Sequence, residues 1–444
     1  MKLNKEQAEA EARLLQFFES PKEQVIIVLG PGGSGKTSSV VEFTKKHRKL
    51  LKRVVLCAPT NAAAGVLKKF SQAVGEQLAT KTTHQLLGLI VGKDGEDKQS
   101  FRANDGCFDD FDTIVLDEGS MASEVLCRNL EERLQERRNV KIIVMMDPCQ
   151  LNPVNEKATR IVDFGHNIWL KQDMRSGNGP LLQVKREVRD FTLARMNGNL
   201  SKDLKIEFET KLDETDSGVH LLKGKFFDEA MLDMFDSEEY RSNPNFVRAL
   251  AWTNAEVDRM NRIIRCRIYG KGCDPYIVGE RMCVLSPVYD SDNMSIFSTD
   301  DEAIIDKIEV ASYLDHMDRD NEDNSYPVWR VTLRDPWGGT TIDVPVLHED
   351  GMRKFNRRCE FLAQEASEKR RPWRSFWDFK DMFCRIRPAH ALTVHKSQGQ
   401  TFGCVFVNFK DLMKNKAHVE RARLHYVAIS RPTTDIVTNL KTIY

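Results

Sequence analysis

Short apolar runs alternate with amphipathic segments over the first part of the chain. The runs VIIVL, RVVLCAPT, DTIVLDE and VKIIVMMD are typical of short strands that are buried on both faces of a sheet. Helical stretches separate them, for example SEVLCRNLEERLQER, in which Leu126, Leu130 and Leu134 recur at helical spacing. This alternation predicts an α/β fold in which a parallel sheet carries helices on both faces.

The alternation returns in the second half of the chain after one interruption. It restarts at FVRALAWTN, continues through a predicted helix to about Tyr269, and resumes at HALTVH and GCVFVNF near the end. From about Met282 to Phe383, short strand-like runs such as AIIDKIEVASYL and YPVWRVTL precede a charged helix. We therefore expect a second α/β unit that holds a small inserted β-barrel.

A smaller interruption lies in the first unit, between Leu86 and Phe111. There LLGLIVGKDGEDKQSFRANDG places a K-D-G-E-D turn between two short candidate strands. This arrangement favours a protruding β-hairpin, and an ordinary surface loop is the alternative interpretation.

Composition narrows the possible partners and compartments. The 444 residues include 66 lysines and arginines and 66 aspartates and glutamates, so any basic surface for a nucleic acid must be local. The ten cysteines form no C-x-x-C pair, which favours reduced thiols over a zinc site or a disulfide framework. The charged, helical beginning and the shortness of the apolar runs predict a soluble protein of the cytoplasm that contacts no membrane.

The segment GPGGSGKTS matches the phosphate-binding loop G-x-x-x-x-G-K-[ST]. It stands between a predicted strand and a predicted helix, which is the context that the motif requires. Its glycines allow several N–H groups to turn toward one anion at the start of the helix. Lys36 adds a positive charge for the β- and γ-phosphates, and Thr37 adds a hydroxyl for Mg²⁺. The predicted nucleotide-binding residues of this loop are Gly30, Gly32, Gly33, Ser34, Gly35, Lys36, Thr37 and Ser38.

Further polar residues follow the other predicted strands. Asp117 and Glu118 come directly after IVL, so we expect them at the carboxyl edge of the sheet, beside the phosphate loop. Asp117 is suited to hold Mg²⁺, and Glu118 to orient and deprotonate the attacking water. Gln150 is suited to sense the γ-phosphate because an amide both donates and accepts hydrogen bonds. Arg175 and Arg431 are candidates to stabilise charge on the phosphates, and an arginine from the second unit would make closure a condition of hydrolysis.

A polar cluster in the second unit indicates what the hydrolysis drives. LTVHKSQGQTF leads from a predicted strand into His, Lys, Ser and Gln side chains that suit phosphate oxygens. APTNAAA and TTHQLLG end segments of the first unit in a similar way. Each unit therefore has an edge that can grip a nucleic-acid strand, and two such grips allow the protein to move along that strand.

Taken in order, these motifs resemble those of superfamily 1 helicases of the 5′-to-3′ subclass, which includes RecD-like and Pif-type enzymes. The motifs are GPGGSGKT, CAPTNAAAGVL, TTHQLLG, VLDEGSM, DPCQLNPV, MRS, WTNAEVDRMN, TVHKSQGQTF and YVAISR. The resemblance spans nearly the whole chain and is weakest over 200–245 and 286–370. The early Gln7 and the segment RPWRSFWDFKDMF are most similar to bacteriophage members. The chain departs from the family pattern where Met146 precedes Asp147 in place of a glycine, and where Gly119 follows Glu118.

The resemblance implies two RecA-like P-loop NTPase domains that close on ATP and Mg²⁺, with Gln7 reading adenine. It places the first domain at 1–178 with a strand-separating pin hairpin at 86–111, the second at 179–285 and 386–444, and an SH3-like β-barrel insertion at 286–385. It also implies that single-stranded DNA is contacted by Pro59, Thr60, Thr83, His84, Thr253, Asn254, His395, Lys396 and Ser397, with Phe101 near the working end of the pin. Trp377 is either a stacking platform for bases or, because it shares helical spacing with Trp373, a core residue.

The implied activity is ATP-dependent 5′-to-3′ translocation on single-stranded DNA and unwinding of forked duplex DNA by a monomer. The implied setting is DNA replication, recombination or repair, alongside single-strand-binding and other replication proteins, and the host cytoplasm if a phage encodes the chain. The residues alone leave three alternatives. They are an ATP-gated nucleic-acid clamp without unwinding, an RNA helicase, and a nucleotide kinase, against which the polar edge of the second unit argues.

Overall fold

The computed structural model describes residues 4–59, 61–92, 100–103, 106–152, 159–172, 179–198, 205–289, 295–297, 299, 301–315, 324–336 and 339–443. The first α/β unit comprises α1 (Lys5–Glu19), β1 (Val25–Leu29), α2 (Lys36–Lys46), β2 (Val54–Ala58), α3 (Asn61–Ala73), β3 (Ala79–Thr82), α4 (Thr83–Leu87), β4 (Leu89–Gly92), β5 (Ser100–Ala103), β6 (Thr113–Leu116), α5 (Glu124–Glu136), β7 (Lys141–Met146) and β8 (His166–Trp169). Its main sheet is parallel, with strand order β3-β2-β6-β7-β1-β8.

Both faces of this sheet are covered, as the apolar runs predict. In β1, Val25, Ile27 and Leu29 belong to one hydrophobic cluster, whereas Ile26 and Val28 belong to another. Successive strand residues point to opposite faces, so a strand must be apolar throughout when helices pack on both sides. The four strands predicted in this unit are confirmed, and β4 pairs with β5 in an antiparallel ribbon in the segment where a hairpin is expected.

The second α/β unit begins with α6 (Pro180–Met196), β9 (Ile206–Glu207), β10 (Lys211–Leu212), β11 (Gly218–Leu221), α7 (Lys225–Phe235), α8 (Glu238–Ser242), β12 (Val247–Ala251) and α9 (Asn254–Tyr269). The chain then forms an insertion made of β13 (Arg281–Val284), β14 (Val288–Tyr289), β15 (Ser295–Phe297), β16 (Glu302–Leu314), β17 (Ser325–Arg334), β18 (Thr341–Leu347), α10 (Met352–Ser367), α11 (Trp373–Lys380) and β19 (Ile386–Pro388). It ends with β20 (Ala391–Thr393), β21 (Phe402–Val407), α12 (Phe409–Leu412), α13 (His418–Ser430), β22 (Pro432–Thr438) and β23 (Thr442–Ile443).

The sheet of the second unit has the order β10-β11-β22-β21-β12-β20 and is parallel except for the edge strand β10. Helix α13 is buried from Arg421 to Ile429, so every face of this stretch is covered by protein. A helix that is enclosed in this way moves with the unit that encloses it.

The insertion is an antiparallel sheet of order β18-β17-β16-β13-β19, accompanied by the ribbon β14-β15. Because β13 and β19 belong to this sheet, it extends beyond both predicted bounds, 286 and 385. The described pairings leave β18 and β19 at opposite edges, so closure into a barrel stays a prediction. A buried ion pair between Arg248 of β12 and Glu302 of β16, 3.0 Å long, fastens the insertion to the second sheet.

Among the described residues, no helix combines the length and the apolar composition that are needed to cross a membrane.

Candidate functional site

The phosphate loop joins β1 to α2 with a backbone path that requires glycine. Gly33 and Gly35 have φ values of 92° and 79°, in the left-handed region that side chains disfavour. Gly35 caps the amino terminus of α2. The first N–H groups of a helix have no partner within the helix, so those of α2 are available to an anion held by the loop. The ammonium of Lys36 donates to the carbonyls of Gly30, at 2.7 Å, and Pro31, at 3.0 Å. The loop thus holds its own cation beside a cradle of N–H groups.

A hydroxyl and a carboxylate meet where a metal ion would be needed. Thr37 Oγ1 donates to Asp117 Oδ2 at 3.2 Å, and the N–H of Glu118 donates to Asp117 Oδ1 at 2.9 Å. Oxygen atoms of this kind are the ligands that Mg²⁺ prefers in proteins. The residues predicted to hold the metal therefore lie together and fit the ion.

Glu118 has both an unusual backbone and an unusual acidity. Its φ is 53°, a left-handed conformation that costs energy in a residue with a side chain. Desolvation by burial and the negative charge of the adjacent Asp117 raise the pKa of the Glu118 carboxyl to about 7. The positive charges of Arg431 and Lys36 act in the opposite direction. A carboxylate whose pKa lies near neutrality is suited to take a proton from water.

The structure explains why a glycine follows Glu118. A Cβ atom at Gly119 would lie 2.5 Å from Cγ1 of Val144 on the neighbouring strand β7. This separation is far below van der Waals contact, so the close packing of the turn against the sheet excludes any larger residue.

The second unit reaches the same carboxylate. A Cβ atom on Gly399 would lie 3.8 Å from Oε1 of Glu118, so the segment that follows β20 abuts the first unit at its catalytic edge. Arg431, at the end of α13, is buried and donates to the carbonyls of Ser397, at 3.3 Å, and Gln400, at 3.0 Å. The positive charge of its guanidinium acts to lower the pKa of the Glu118 carboxyl. An arginine in this position is also suited to stabilise negative charge on phosphates.

The segment that follows β7 connects the two units through several hydrogen bonds. The side-chain amide of Gln398 donates to Gln150 Oε1 at 3.4 Å, and the guanidinium of Arg423 donates to the carbonyl of Gln150 and to Asn152 Oδ1. The hydroxyl of Tyr426 donates to Asp147 Oδ2 at 2.6 Å. Gln150 is a residue predicted from its motif, and Gln398 and Tyr426 belong to the motifs TVHKSQGQTF and YVAISR, but the contacts of Gln398, Arg423 and Tyr426 with the first unit were not predicted.

Gln7 lines a cavity of about 180 Å³ between α1 and α2. Its Nε2 and the Oγ of Ser39, which lines the same cavity, are buried and make no hydrogen bond within the described part of the chain. Leu14, Val28 and Phe43 contribute apolar walls. Apolar walls with a few polar atoms suit a flat heterocycle that carries both donors and acceptors.

In the first unit, three of the residues predicted to contact single-stranded DNA lie close together. Pro59, Thr83 and His84 line one small cavity of about 40 Å³. Burial lowers the pKa of His84, which keeps its ring neutral at physiological pH. Thr60 and, in the segment before α6, Arg175 lie outside the described residues, and the same holds for the side chain of Phe101.

In the second unit, Thr253 and Asn254 begin α9. Thr253 caps the helix and is held by Asp411, whose carboxylate accepts from both its N–H and its hydroxyl. Asn254 Oδ1 accepts a hydrogen bond of 3.1 Å from Arg387. The backbone of this turn is therefore fixed by side chains that come from other elements.

His395, Lys396 and Ser397 form a single helical turn after β20. His395 Nε2 lies 3.8 Å from Glu420 Oε1, and Lys396 Nζ lies 3.8 Å from Cys283 Sγ. Ser397 is fully buried and donates to the carbonyl of Val394 at 2.8 Å. For the Ser397 hydroxyl to donate directly to single-stranded DNA, this hydrogen bond would have to break.

Trp377 on α11 is half-buried, and the ammonium of Lys380 lies 4.7 Å from the centre of its ring. The core position of this helix is held by Phe379, which is fully buried, while Trp373 is 42% exposed. The tryptophans therefore flank the core of the insertion, and both the stacking and the packing interpretation of Trp377 remain predictions.

Comparison with known proteins gives these features a family context. Residues 2–166 match the model of an AAA domain, and residues 388–436 match that of a UvrD-like helicase C-terminal domain. An uncharacterized protein of Acanthamoeba polyphaga mimivirus is 24% identical over 481 residues, covering 94% of this chain and 96% of the relative. The ATP-dependent DNA helicase dda of Enterobacteria phage T4 is 23% identical over 462 residues, covering 94% of each chain.

Among solved structures, the chain is similar to the Pif1 helicase from Bacteroides in complex with ADP-AlF3 and ssDNA. The TM-score is 0.53 at 17% identity, covering 99% of this chain and 93% of that chain. Bacteroides Pif1 bound to ssDNA gives a TM-score of 0.52 at 17% identity with the same coverage. At this level of identity the likeness establishes the fold, an α/β architecture with parallel sheets.

Proposed function

We propose that this chain, which belongs with the Pif1- and Dda-like helicases of superfamily 1, is an ATP-dependent DNA helicase that moves 5′ to 3′ along single-stranded DNA. The observation that carries the proposal is the meeting of the two units at Glu118. Lys36, Thr37 and Asp117 come from the first unit, whereas Gly399 and Arg431 come from the second. Hydrolysis at such a junction is sensitive to the relative position of the units.

The hydrolytic step follows from the groups at this junction. The N–H groups of the loop and Lys36 bind the phosphates of ATP. Thr37 and Asp117 would hold Mg²⁺, which would neutralise phosphate charge. Glu118 orients the attacking water and takes its proton. Arg431 stabilises the charge that develops on the phosphates. We assign the same task to Arg175, and we assign Gln150 to the γ-phosphate.

Adenine selection fits the cavity beside α1. The unpaired amide nitrogen of Gln7 and the hydroxyl of Ser39 offer hydrogen bonds to a base that enters between the apolar walls. Unpaired buried polar atoms favour a ligand that satisfies them over one that does not. We therefore propose ATP as the preferred nucleotide.

Movement requires that each unit hold the strand in turn. The first grip comprises Pro59, Thr60, Thr83 and His84, and the second comprises Thr253, Asn254, His395, Lys396 and Ser397. We propose that ATP closes two RecA-like domains, 1–178 and 179–285 with 386–444, and that hydrolysis opens them, so that the grips exchange hold. The ribbon β4-β5 would act as the pin with Phe101 near its working end, the insertion would be an SH3-like module, and Trp377 would stack on a base.

We further propose that the enzyme works as a monomer on forked DNA in the cytoplasm, in replication, recombination or repair. Its partners would then include single-strand-binding and other replication proteins. The neutral total charge is compatible with this setting, because a basic surface for DNA needs only to be local.

The test compares two otherwise identical DNA duplexes, one with a 5′ and one with a 3′ single-stranded tail, at a fixed low salt concentration. We expect ATP-dependent separation of the 5′-tailed duplex alone, and none with Glu118→Gln as the matched hydrolysis-deficient control. Separation of only the 3′-tailed duplex would overturn the polarity. ATPase that single strands stimulate without opening either duplex would indicate a clamp, and opening of RNA duplexes alone would indicate an RNA helicase.

A further inference from the structure

A tyrosine of the second unit hydrogen-bonds to the phosphate-loop network of the first. The hydroxyl of Tyr426 on α13 donates to Oδ2 of Asp147 at 2.6 Å. The same Oδ2 accepts the N–H of Gly32, in the phosphate loop, at 3.0 Å. The N–H of Gly32 also points at the tyrosine oxygen, at 3.4 Å. One carboxylate oxygen therefore connects the loop with a helix of the other unit.

The bond is enclosed and has a fixed direction. Tyr426 and Asp147 are both buried, with 3% and 2% of their surfaces exposed. Burial and the neighbouring Asp147 raise the pKa of the Tyr426 hydroxyl well above its ordinary value, so it keeps its proton and donates. The other oxygen of Asp147 accepts the N–H of Cys149 at 3.0 Å, which fixes the orientation of the carboxylate.

The helix that carries Tyr426 also positions the arginine of the site. Arg431 directly follows α13, five residues after Tyr426, roughly 7.5 Å along the helix axis at 1.5 Å per residue. Since α13 is enclosed on all sides, a shift of Tyr426 relative to Asp147 is transmitted to Arg431. The hydroxyl, together with the bonds of Arg423 to Gln150 and Asn152 on the same helix, therefore sets the distance between the loop and the arginine.

We infer that Tyr426 is a positioning residue that couples strand binding to hydrolysis by holding α13 against the phosphate loop through Asp147. This inference rests on the proposed function and adds to it a route between the two units. When a strand moves the segment 395–400, the movement reaches Arg431 through its bonds to Ser397 and Gln400, and the Tyr426 bond determines how far α13 follows.

The experiment compares the wild-type chain with Tyr426→Phe, which removes only the hydroxyl. Tyr240→Phe is the matched control, because Tyr240 is also buried and its hydroxyl bonds to Nδ1 of His390 at 2.6 Å, within the second unit. The kcat and KM of ATP hydrolysis are measured with saturating oligo-dT, and hydrogen–deuterium exchange is measured on the same proteins.

For Tyr426→Phe we expect the strand-stimulated kcat to fall about tenfold or more, as the loss of one hydrogen bond to a charged group implies, with a smaller change in KM. We also expect faster exchange in peptides that cover 30–35 and 421–431. Tyr240→Phe should stay within about twofold of the wild type in kcat. If Tyr426→Phe matches Tyr240→Phe in both kcat and exchange, the hydroxyl serves packing alone and the inference is wrong.

Asp147→Asn tests the same bond from the acceptor side and serves if Tyr426→Phe does not fold. In a double-mutant cycle the two changes should reduce kcat by less than the product of their separate effects, whereas full multiplication would contradict a shared interaction. A wild-type chain whose ATPase no strand stimulates would refute the proposed function. The exchange measurement would still decide whether Tyr426 holds α13 to the loop.

Discussion

Replacing Asp411 by asparagine should loosen the turn that begins α9 and weaken the binding of single-stranded DNA. Asp411 is buried, and its carboxylate accepts hydrogen bonds from the N–H of Trp252 at 3.0 Å and from the N–H and hydroxyl of Thr253 at 2.8 and 3.0 Å. The ammonium of Lys414 adds a bond of 2.7 Å. This one side chain therefore fixes the backbone of a turn that is predicted to contact single-stranded DNA.

The magnitude follows from the bonds that asparagine can keep. A hydrogen bond to a charged acceptor contributes about 1.5 to 3 kcal/mol and one to a neutral acceptor about 0.5 to 1.5 kcal/mol. The two backbone N–H groups retain a neutral oxygen, so the variant loses roughly 2 kcal/mol, while the exposed Lys414 adds little. If about half of this appears as extra ordering of Thr253 on binding, strand affinity falls about fivefold.

The assay is fluorescence anisotropy of labelled oligo-dT at one salt concentration, with thermal melting of the same proteins. Asp435→Asn is the matched control, because Asp435 also accepts a backbone N–H, from Gly218 at 2.9 Å. It is level with Cys404 and, across β21, with Val247, which lies six residues before Thr253 along the chain. A strand affinity that Asp411→Asn changes no more than Asp435→Asn does would refute the reasoning.

The same carboxylate gives a pH dependence with a definite sign. Burial alone would raise the pKa of Asp411, but the bonds from Lys414, Thr253 and Trp252 hold it below its ordinary value. Its contribution to stability is therefore present above the unfolded pKa of about 3.9 and is lost as the pH falls toward the folded pKa. The difference in melting temperature between the wild type and Asp411→Asn should be constant near neutrality and shrink below about pH 4. A difference that grows in acid would contradict this origin.

Two glycines at the junction of the units give further predictions. Gly119→Ala should lower the melting temperature and the ATPase rate, because the added methyl overlaps Val144. The expected loss in the free energy of unfolding is about 1 to 3 kcal/mol. Gly179→Ala is the control, since its added methyl would meet nothing closer than 4.0 Å. Equal melting temperatures of these two variants would contradict the clash. Gly399→Ala combines a φ of 73° with a new methyl beside Glu118, so it should reduce strand-stimulated hydrolysis in a steady-state ATPase assay. Unchanged stimulation would show that the segment tolerates displacement there.

The sequence predicted the central strands because burial on two faces leaves a continuous apolar run. The edge strands β3 and β8 were not predicted, because both are short, β3 is mostly polar and β8 is largely exposed. The change of period predicted an inserted β structure, but the membership of β13 and β19 in its sheet depends on pairing between segments far apart in the chain. No local pattern encodes such a pairing.

The same distinction applies to the candidate site. Thr37, Asp117 and Glu118 could be placed together because the carboxyl ends of parallel strands share an edge. The bond from Tyr426 to Asp147 joins residues 279 positions apart and depends on how the two units are seated on each other. Sequence motifs identify such residues as a group, whereas the partner of each hydroxyl follows only from the packed structure.

The placement of the insertion has a consequence for how the chain folds. In the second sheet β12 lies beside β20, and the whole insertion separates these strands in sequence. The insertion begins and ends with β13 and β19, which are paired neighbours about 4.8 Å apart. Once they pair, the long loop between β12 and β20 is effectively shortened, and the entropy cost of closing it falls. On this reasoning the insertion would bring β12 and β20 together during folding, and a chain that assembles it late would complete the second sheet slowly.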